Sequence, residues 1–258
     1  MKKYFAFFKT VLKNELSKLS DWIGTVIGFC IHISVFCLLW EFVLGDKLIA
    51  GYTREKLIWY VIFGESIIYS YHHYFKTVSL QVENGNIAYD MSKPYNYILR
   101  IISEGIGLLP LTVVLFIVGS VIGAIAAGPL DISILGIICS FIVTLFACIL
   151  LLCIHIIVGL CAIWVGRDTS SIWLIVQKLM LILAFTPIEL MPKILQKPLL
   201  LLPTTHVIYT PSKLLIDFNY SLFFKSLFVY ELGAFILISI IFAFIYAKGV
   251  KKLNVNGV

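Results

Sequence analysis

Two carboxylates stand where carboxylates are costly. Glu65 falls near the middle of an apolar run, 57–74, and Glu231 near the middle of another, 222–247. An ionisable side chain at bilayer depth lines a polar cavity or pairs with another group, and it marks a functional position by default. His32 stands at comparable depth in the run 22–44. Imidazole can donate to a carboxylate or carry its counter-charge, so Glu65 is expected to face a polar cavity or to pair with His32. The plainer alternative is an interhelical polar contact with no further role. For Glu231 such a structural contact is the expectation, with no partner assigned. Lys178 has a stem long enough to bring its ammonium to the membrane interface. Glu41 and Glu189 lie near run ends and read as interfacial.

The motifs of familiar chemistries do not occur. No G-x-x-x-x-G-K-[S/T] tract offers a cradle for ATP phosphates, and there is no H-E-x-x-H or G-x-S-x-G. The histidines are His32, His72, His73, His155 and His206, and none has the i, i+4 spacing of a helical ligand pair. Adjacent His72 and His73 point to different helix faces. No catalytic, cofactor-binding or metal-ligating residue is assigned. Cys30, Cys37, Cys139, Cys148, Cys153 and Cys161 all fall inside apolar runs and read as small buried or lipid-facing residues, not as disulfides.

The elements that must position these residues follow from composition. The chain has 258 residues, 60% apolar and 13% charged, against about 45–50% and about 25% in soluble domains. Its mean hydropathy is +1.00. A soluble enzyme, a disordered chain and a secreted disulfide scaffold are excluded. The net charge of +6 comes from lysines placed at the ends of apolar runs, where they orient spans rather than bind nucleic acid.

A run of roughly 20 apolar residues crosses a ~30 Å hydrocarbon core as helix. Six spans are predicted, at about 22–44, 57–74, 105–127, 132–165, 171–190 and 222–247. The fourth exceeds the core thickness and must tilt, bend or protrude. Residues 1–20 read as an amphipathic helix lying in the membrane interface. Tyr4, Phe5, Phe8, Val11, Leu12, Leu16 and Leu19 share one face, and Lys2, Lys3, Lys9, Lys13 and Ser17 the other. The run from Trp22 is too long for a signal sequence and no A-x-A site follows it. The expected class is an all-α integral membrane protein, with an interfacial helix at 1–20 and a six-span domain at 21–258.

Two polar interruptions stand out. Residues 75–104 carry an Asn84-Gly85 turn signal and a Lys93-Pro94 break. Ser79–Asn84 is predicted as a short helix with Ser79 as N-cap. A segment this long exceeds an ordinary loop and suits the docking of a cytoplasmic partner. In residues 191–221 the apolar piece 194–202 is too short to span. Pro192, Pro198, Pro203 and Pro211 interrupt the segment. Irregular backbone at membrane depth must be covered by protein or water, so short helices dipping into the outer leaflet and returning are expected. Lys and Arg concentrate on one side of this topology. Lys2, Lys3, Lys9, Lys13, Lys18, Lys76, Lys93, Arg100, Arg167, Lys178, Lys248, Lys251 and Lys252 outnumber Lys47, Arg54, Lys56, Lys193, Lys197, Lys213 and Lys225. The bias places both termini in the cytoplasm.

Three tracts carry a resemblance. The first runs Gly85-Asn86-Ile87-Ala88-Tyr89-Asp90-Met91-Ser92-Lys93-Pro94-Tyr95-Asn96-Tyr97. The second is proline-spaced: Pro187, Met191-Pro192, Leu195-Gln196, Leu200-Leu201-Leu202-Pro203 and Tyr209-Thr210-Pro211. In the third, Trp164 and then Arg167-Asp168 close the fourth run. Together they resemble the membrane subunit of a bacterial ABC type-2 exporter, along essentially the whole chain. Asp90 departs from that pattern, standing where an apolar or aromatic residue is usual. Ala184 lies near a position where Gly is common.

The resemblance implies a permease in the bacterial cell membrane. It would pair with a second permease, as homodimer or heterodimer, and dock a cytoplasmic ABC ATPase that holds the ATP and Mg. This chain would hydrolyse nothing and carry no cofactor. Leu80, Val82, Glu83, Asn84, Gly85, Asn86 and Ile87 would couple to the ATPase. Glu65, Ser66, Tyr69 and His73 on the second span would line the path with Gln177, Met180, Thr186 and Pro187 on the fifth. Pro192, Leu195 and Pro203 would form an outer gate. The aromatic and apolar character of these path residues suits a hydrophobic or amphipathic substrate. Two other readings stay open: a non-transporting ABC-like sensor or immunity subunit, and an intramembrane enzyme or proton-coupled carrier that would use Glu65 and Glu231.

Overall fold

A computed structural model describes residues 2–45, 47–70, 74–129 and 134–255. Among these residues every regular element is helical, apart from one isolated bridge between Ile49 and Tyr52. Helix α1 (Lys2–Ser17) meets α2 (Leu19–Leu44) at an elbow on Lys18. Helix α3 (Arg54–Tyr69) starts where the Thr53 hydroxyl accepts the Lys56 N–H. The polar interruption is helical rather than a loop, with α4 (Tyr74–Glu83), α5 (Asn86–Met91) and α6 (Tyr97–Ile106). Helix α7 (Leu109–Ala127) follows a short break at Gly107, and α8 (Ile134–Leu160) continues into α9 (Ala162–Val165). Beyond α10 (Ser170–Phe185) come a 3-10 turn at Ile188–Leu190, α11 (Lys193–Leu199) and α12 (Pro203–Ile216). Helix α13 (Tyr220–Lys225), a π-helical turn at Ser226–Glu231 and α14 (Leu232–Val255) complete the chain.

Four helical stretches are long and apolar enough to cross a membrane: Ser20–Leu44, Tyr97–Ala127, Ile134–Val165 and Tyr220–Gly249. The remaining two expected spans are shorter than predicted. Helices α3 and α10 have 16 residues each, about 24 Å at 1.5 Å per residue. Helix α10 stops at Phe185, not at residue 190, because Thr186 is extended (φ −124°, ψ 113°). A residue before proline is pushed out of the helical region, and Pro187 follows.

The prolines of residues 191–221 also act differently from the expectation. Pro203 occupies the first position of α12, where a missing N–H costs nothing. Pro211 sits inside α12 without ending it. The helix survives because it is packed against α3, α8 and α10, with Val207, Ile208 and Leu214 fully buried.

Helix α3 is the hub. Leu57, Tyr60, Ile62, Glu65, Ser66 and Ile67 are all completely buried, and α2, α7, α10 and α12 pack around it. Small residues allow these approaches, as they do wherever van der Waals contact drives helix association in a bilayer. A Cβ on Gly64 would stand 2.9 Å from Ile208 Cγ2, and one on Gly119 would stand 2.7 Å from Ile62 Cγ2. Tyr60 adds a hydrogen bond from its hydroxyl to the Leu183 carbonyl at 2.9 Å.

Helix α4 also approaches α8 closely, at Gly159. A Cβ there would meet Val78 Cβ at 2.5 Å and the Phe75 carbonyl oxygen at 2.7 Å. Overpacking of this kind costs about 1–3 kcal/mol. Gly159→Ala is therefore expected to lower the thermal melting point of the purified protein clearly. Gly233→Ala, whose Cβ meets nothing within 4 Å, serves as the control and is expected to cost nothing. Equal melting points for the two variants would show that α4 is not seated on α8.

Candidate functional site

Helix α3 carries Glu65 to a completely buried position, with His32 Nε2 of α2 at 3.6 Å from its Oε2. This is the pairing anticipated from depth alone. The separation exceeds a hydrogen bond, and among the described residues neither Glu65 oxygen nor His32 Nε2 has a hydrogen-bond partner. Aromatic rings surround the pair. The His32 ring lies 4.7 Å from Phe36 and 5.9 Å from Tyr69, and Phe29 lies 5.7 Å from Tyr69. Phe185 at the end of α10 closes the ring set, 4.5 Å from Phe36 and 5.0 Å from Trp40. Helices α2 and α10 both pack on α3, and these rings meet beside Glu65. The His32 side chain is 31% exposed and Glu65 is not exposed at all, so the imidazole lies between the acid and the open face.

The other path residues are placed variously. Ser66 is buried and donates back to the Ile62 carbonyl at 2.7 Å, stitching its own helix. Met180 is completely buried in the core. Gln177 and Thr186 are half-buried and Pro187 is buried. His73 lies outside the described residues. Glu65 and Tyr69 are thus the members brought together, and their neighbours Phe29, Phe36, Trp40 and Phe185 were not anticipated. The first three recur with His32 at spacings of three and four residues, the signature of one helix face. Glu231 ends the π-helical turn, is 1% exposed, and has no hydrogen-bond partner on either oxygen. The polar contact expected for it is not present among the described residues. Single π-turns gather at functional positions.

At one end of the bundle α4 and α5 form a hairpin. Ser79 does not cap a helix; it lies inside α4, and its hydroxyl donates to Glu83 at 3.1 Å. The helix begins earlier because Tyr74, Phe75 and Val78 are buried as one apolar face. Gly85 turns the chain with φ 69°, a left-handed conformation that favours glycine. Leu80 is 51% exposed, and Glu83, Asn84 and Asn86 are exposed beside it, with Val82 and Gly85 half-buried. Ile87 is completely buried and holds the hairpin from within rather than presenting to a partner. The Lys-Pro-Tyr-Asn-Tyr tract then acquires a physical account. Asn96 caps α6 by accepting from Ile98 N–H at 2.9 Å and Leu99 N–H at 3.1 Å. The buried Tyr97 hydroxyl donates to Gln81 on α4 at 2.8 Å.

The profile of the family described as ABC-2 family transporter protein matches residues 29–257 of this chain. The chain belongs to the ABC-2 transporter family. It is accordingly a multi-pass membrane protein and an ABC transporter permease. No curated protein sequence matches it significantly.

This ABC-2 permease has a second polar cluster, at the end of the bundle where α3 starts. Glu189 accepts hydrogen bonds from Tyr52 at 2.8 Å and Tyr209 at 2.7 Å. Lys213 donates to the Tyr52 hydroxyl and to Asp217, each at 2.7 Å. Lys56 pairs with Asp217 from α3. Glu189 is therefore a fixed hub and not a loose interfacial carboxylate. The cluster ties the segment after α10 to α3 and α12.

Asp90, the departure from the resembling pattern, anchors the end of the bundle that carries α5 and α6. Its carboxylate contacts Lys93 Nζ at 2.7 Å and Arg100 Nη1 at 2.6 Å, and Arg100 Nε reaches Glu104 at 2.7 Å. Helix α1 joins the same knot. Phe7 packs edge-on to Tyr95 at 5.4 Å, and the Tyr4 hydroxyl accepts the Asn96 N–H at 3.0 Å. Burial opposes the Asp90 charge, but the hydrogen bonds from Lys93 and Arg100 outweigh it and hold the carboxyl below the usual aspartate range. A carboxyl lowered by folding stabilises the fold above its unfolded value and loses that contribution as pH falls through its folded value. Asp90→Asn is expected to cost about 1 kcal/mol at neutral pH. In melts at decreasing pH, its gap to wild type should close below about 3.9. A gap unchanged across that range would assign the stabilisation to shape rather than charge.

Proposed function

We propose that this chain is the permease subunit of a bacterial ABC exporter. It pairs with a second permease subunit and is driven by a separate cytoplasmic ATPase that holds the ATP and Mg. The observation that carries this reading is the α4–α5 hairpin, within a chain that belongs to the ABC-2 family and has no phosphate-binding loop. The hairpin has one face seated on α8 and one free, with Leu80, Glu83, Asn84 and Asn86 outward. That is the form of a docking element whose displacement is passed to the bundle.

In this reading α3 and α10 complete six spans with the four long stretches, both termini are cytoplasmic, and α1 lies along the inner interface. The site where α2 and α10 meet on α3 lines the path for a hydrophobic or amphipathic substrate. The segment from Pro192 to Pro203 forms the outer gate. Pro192 and Leu195 are exposed on it, and Gln196 Nε2 fastens it to the Met191 carbonyl at 2.9 Å. Export then needs two arrangements of the paired bundles, with ATP binding favouring one of them.

Leu80→Glu tests the docking element without touching a buried residue. Membrane insertion and melting point should match wild type, while co-purification of the cognate ATPase falls at least tenfold and coupled ATP hydrolysis is lost. Undiminished ATPase capture by Leu80→Glu, and by a variant lacking Leu80–Asn86, would overturn the assignment.

A further inference from the structure

We propose that the Glu65 site selects hydrophobic cations, and that His32 is the protein's own stand-in for the cation. The inference rests on the reading of this site as part of the translocation path, and it names the substrate class. That class is an organic ammonium, phosphonium or similar centre carried among apolar or aromatic groups.

The argument begins with an unmet requirement. A buried carboxylate needs both a counter-charge and hydrogen bonds. Glu65 is completely buried, and its two oxygens have no hydrogen-bond partner among the described residues. His32 at 3.6 Å is its ion-pair contact among the described residues. No Lys or Arg of the described chain pairs with it, although Lys and Arg side chains pair with acids at both ends of the bundle. The site thus has an acid whose local counter-ion is present only when imidazole is protonated.

The walls point the same way. An aromatic face carries the negative part of the ring quadrupole, so rings attract cations and disfavour anions. Phe36, Tyr69 and Phe185 line the approach and are half-buried, with surface left to offer. Trp40 backs Phe185 as a stacked pair at 5.0 Å and an interplanar angle of 24°. A buried acid behind an aromatic approach is a cation filter. An anion would meet the same acid and ring faces without a positive partner.

His32 makes the site exchangeable. Its imidazole is held by ring contacts to Phe36 and Tyr69 and makes no hydrogen bond through Nε2. Moving it toward the open face uncovers Glu65 and costs no hydrogen bond at that nitrogen. An entering cation takes the place of the imidazole beside the carboxylate, and its departure lets the ring return. Glu231 has no such imidazole contact among the described residues.

The test uses the full chain in nanodiscs without any ATPase, with empty nanodiscs subtracted. The probes are tetraphenylphosphonium and tetraphenylborate, which share a shape and differ in sign. Wild type is expected to bind the phosphonium at least tenfold more tightly than the borate. Glu65→Gln should lose at least tenfold in phosphonium affinity, Glu65→Asp should keep the preference for the cation, and His32→Ala should bind it several-fold more tightly. Equal binding of the two probes by wild type overturns the proposal, and this arm needs no variant to fold. Unchanged phosphonium binding by a monodisperse Glu65→Gln also overturns it. A tenfold loss in His32→Ala would refute the stand-in role. ATPase capture is measured separately through Leu80, so failed cation selection with intact capture rejects the substrate class and leaves the permease reading standing.

Discussion

The contact on which the rest of the molecule depends is the approach of α4 to α8. Gly159 permits it sterically, and a side chain at that position would collide with both Val78 and the Phe75 backbone. His155, one turn earlier on α8, accepts the Phe75 N–H through Nδ1 at 3.3 Å and stacks on Trp173 of α10 at 3.9 Å. One imidazole therefore joins the start of α4, the inner part of α8 and the inner part of α10. Tyr74 adds a bond from its hydroxyl to the Ile101 carbonyl of α6 at 3.0 Å. A force on the α4–α5 hairpin has a packed route into the bundle. At the far end of α10, Phe185 stands against the rings of the Glu65 site.

The bilayer sets the second constraint. Some hydroxyls inside the bundle bond to their own helix, as Ser66 does to Ile62, Ser70 to Ser66 and Thr144 to Ser140. Charged groups outside the apolar depth form closed networks, around Asp90 and Arg100 at one end and around Glu189, Lys213 and Asp217 at the other. Among the described residues Glu65 and Glu231 are the buried carboxylates that lack a hydrogen bond; Glu65 has His32 at 3.6 Å beside it, and Glu231 has no ion-pair contact. A stable fold with no further duty gains nothing from such groups, and that contrast gives the Glu65 site its functional weight.

Much of this architecture was legible in the sequence because hydropathy alone defines apolar runs. The depth of His32 and Glu65 within theirs was enough to anticipate the pair. The Asn84-Gly85 turn and the Lys93-Pro94 break also stand where local chemistry puts them. What was illegible depended on tertiary contacts. Ser79 has the composition of an N-cap, yet the buried face of Tyr74, Phe75 and Val78 extends α4 past it. Pro211 reads as a helix breaker, but packing on α3 and α8 outweighs one missing backbone bond. The Tyr52–Glu189–Lys213 cluster draws on segments far apart in sequence, and no spacing rule connects them. Asp90 stood out only as an exception, and its role appears once Arg100 is placed beside it.

The central claim is that the α4–α5 hairpin moves with the inner ends of α8 and α9 as one body, relative to α2. It is tested most directly by paired spin-label distances in the permease–ATPase complex, with and without bound ATP. Labels at Leu80 and Val165, both exposed, report within the unit, and labels at Leu80 and Val35, exposed on α2, report across it. The expected result is a Leu80–Val165 distance that does not change with nucleotide and a Leu80–Val35 distance that does. A Leu80–Val165 distance that shifts on ATP binding while Leu80–Val35 stays fixed would contradict the account.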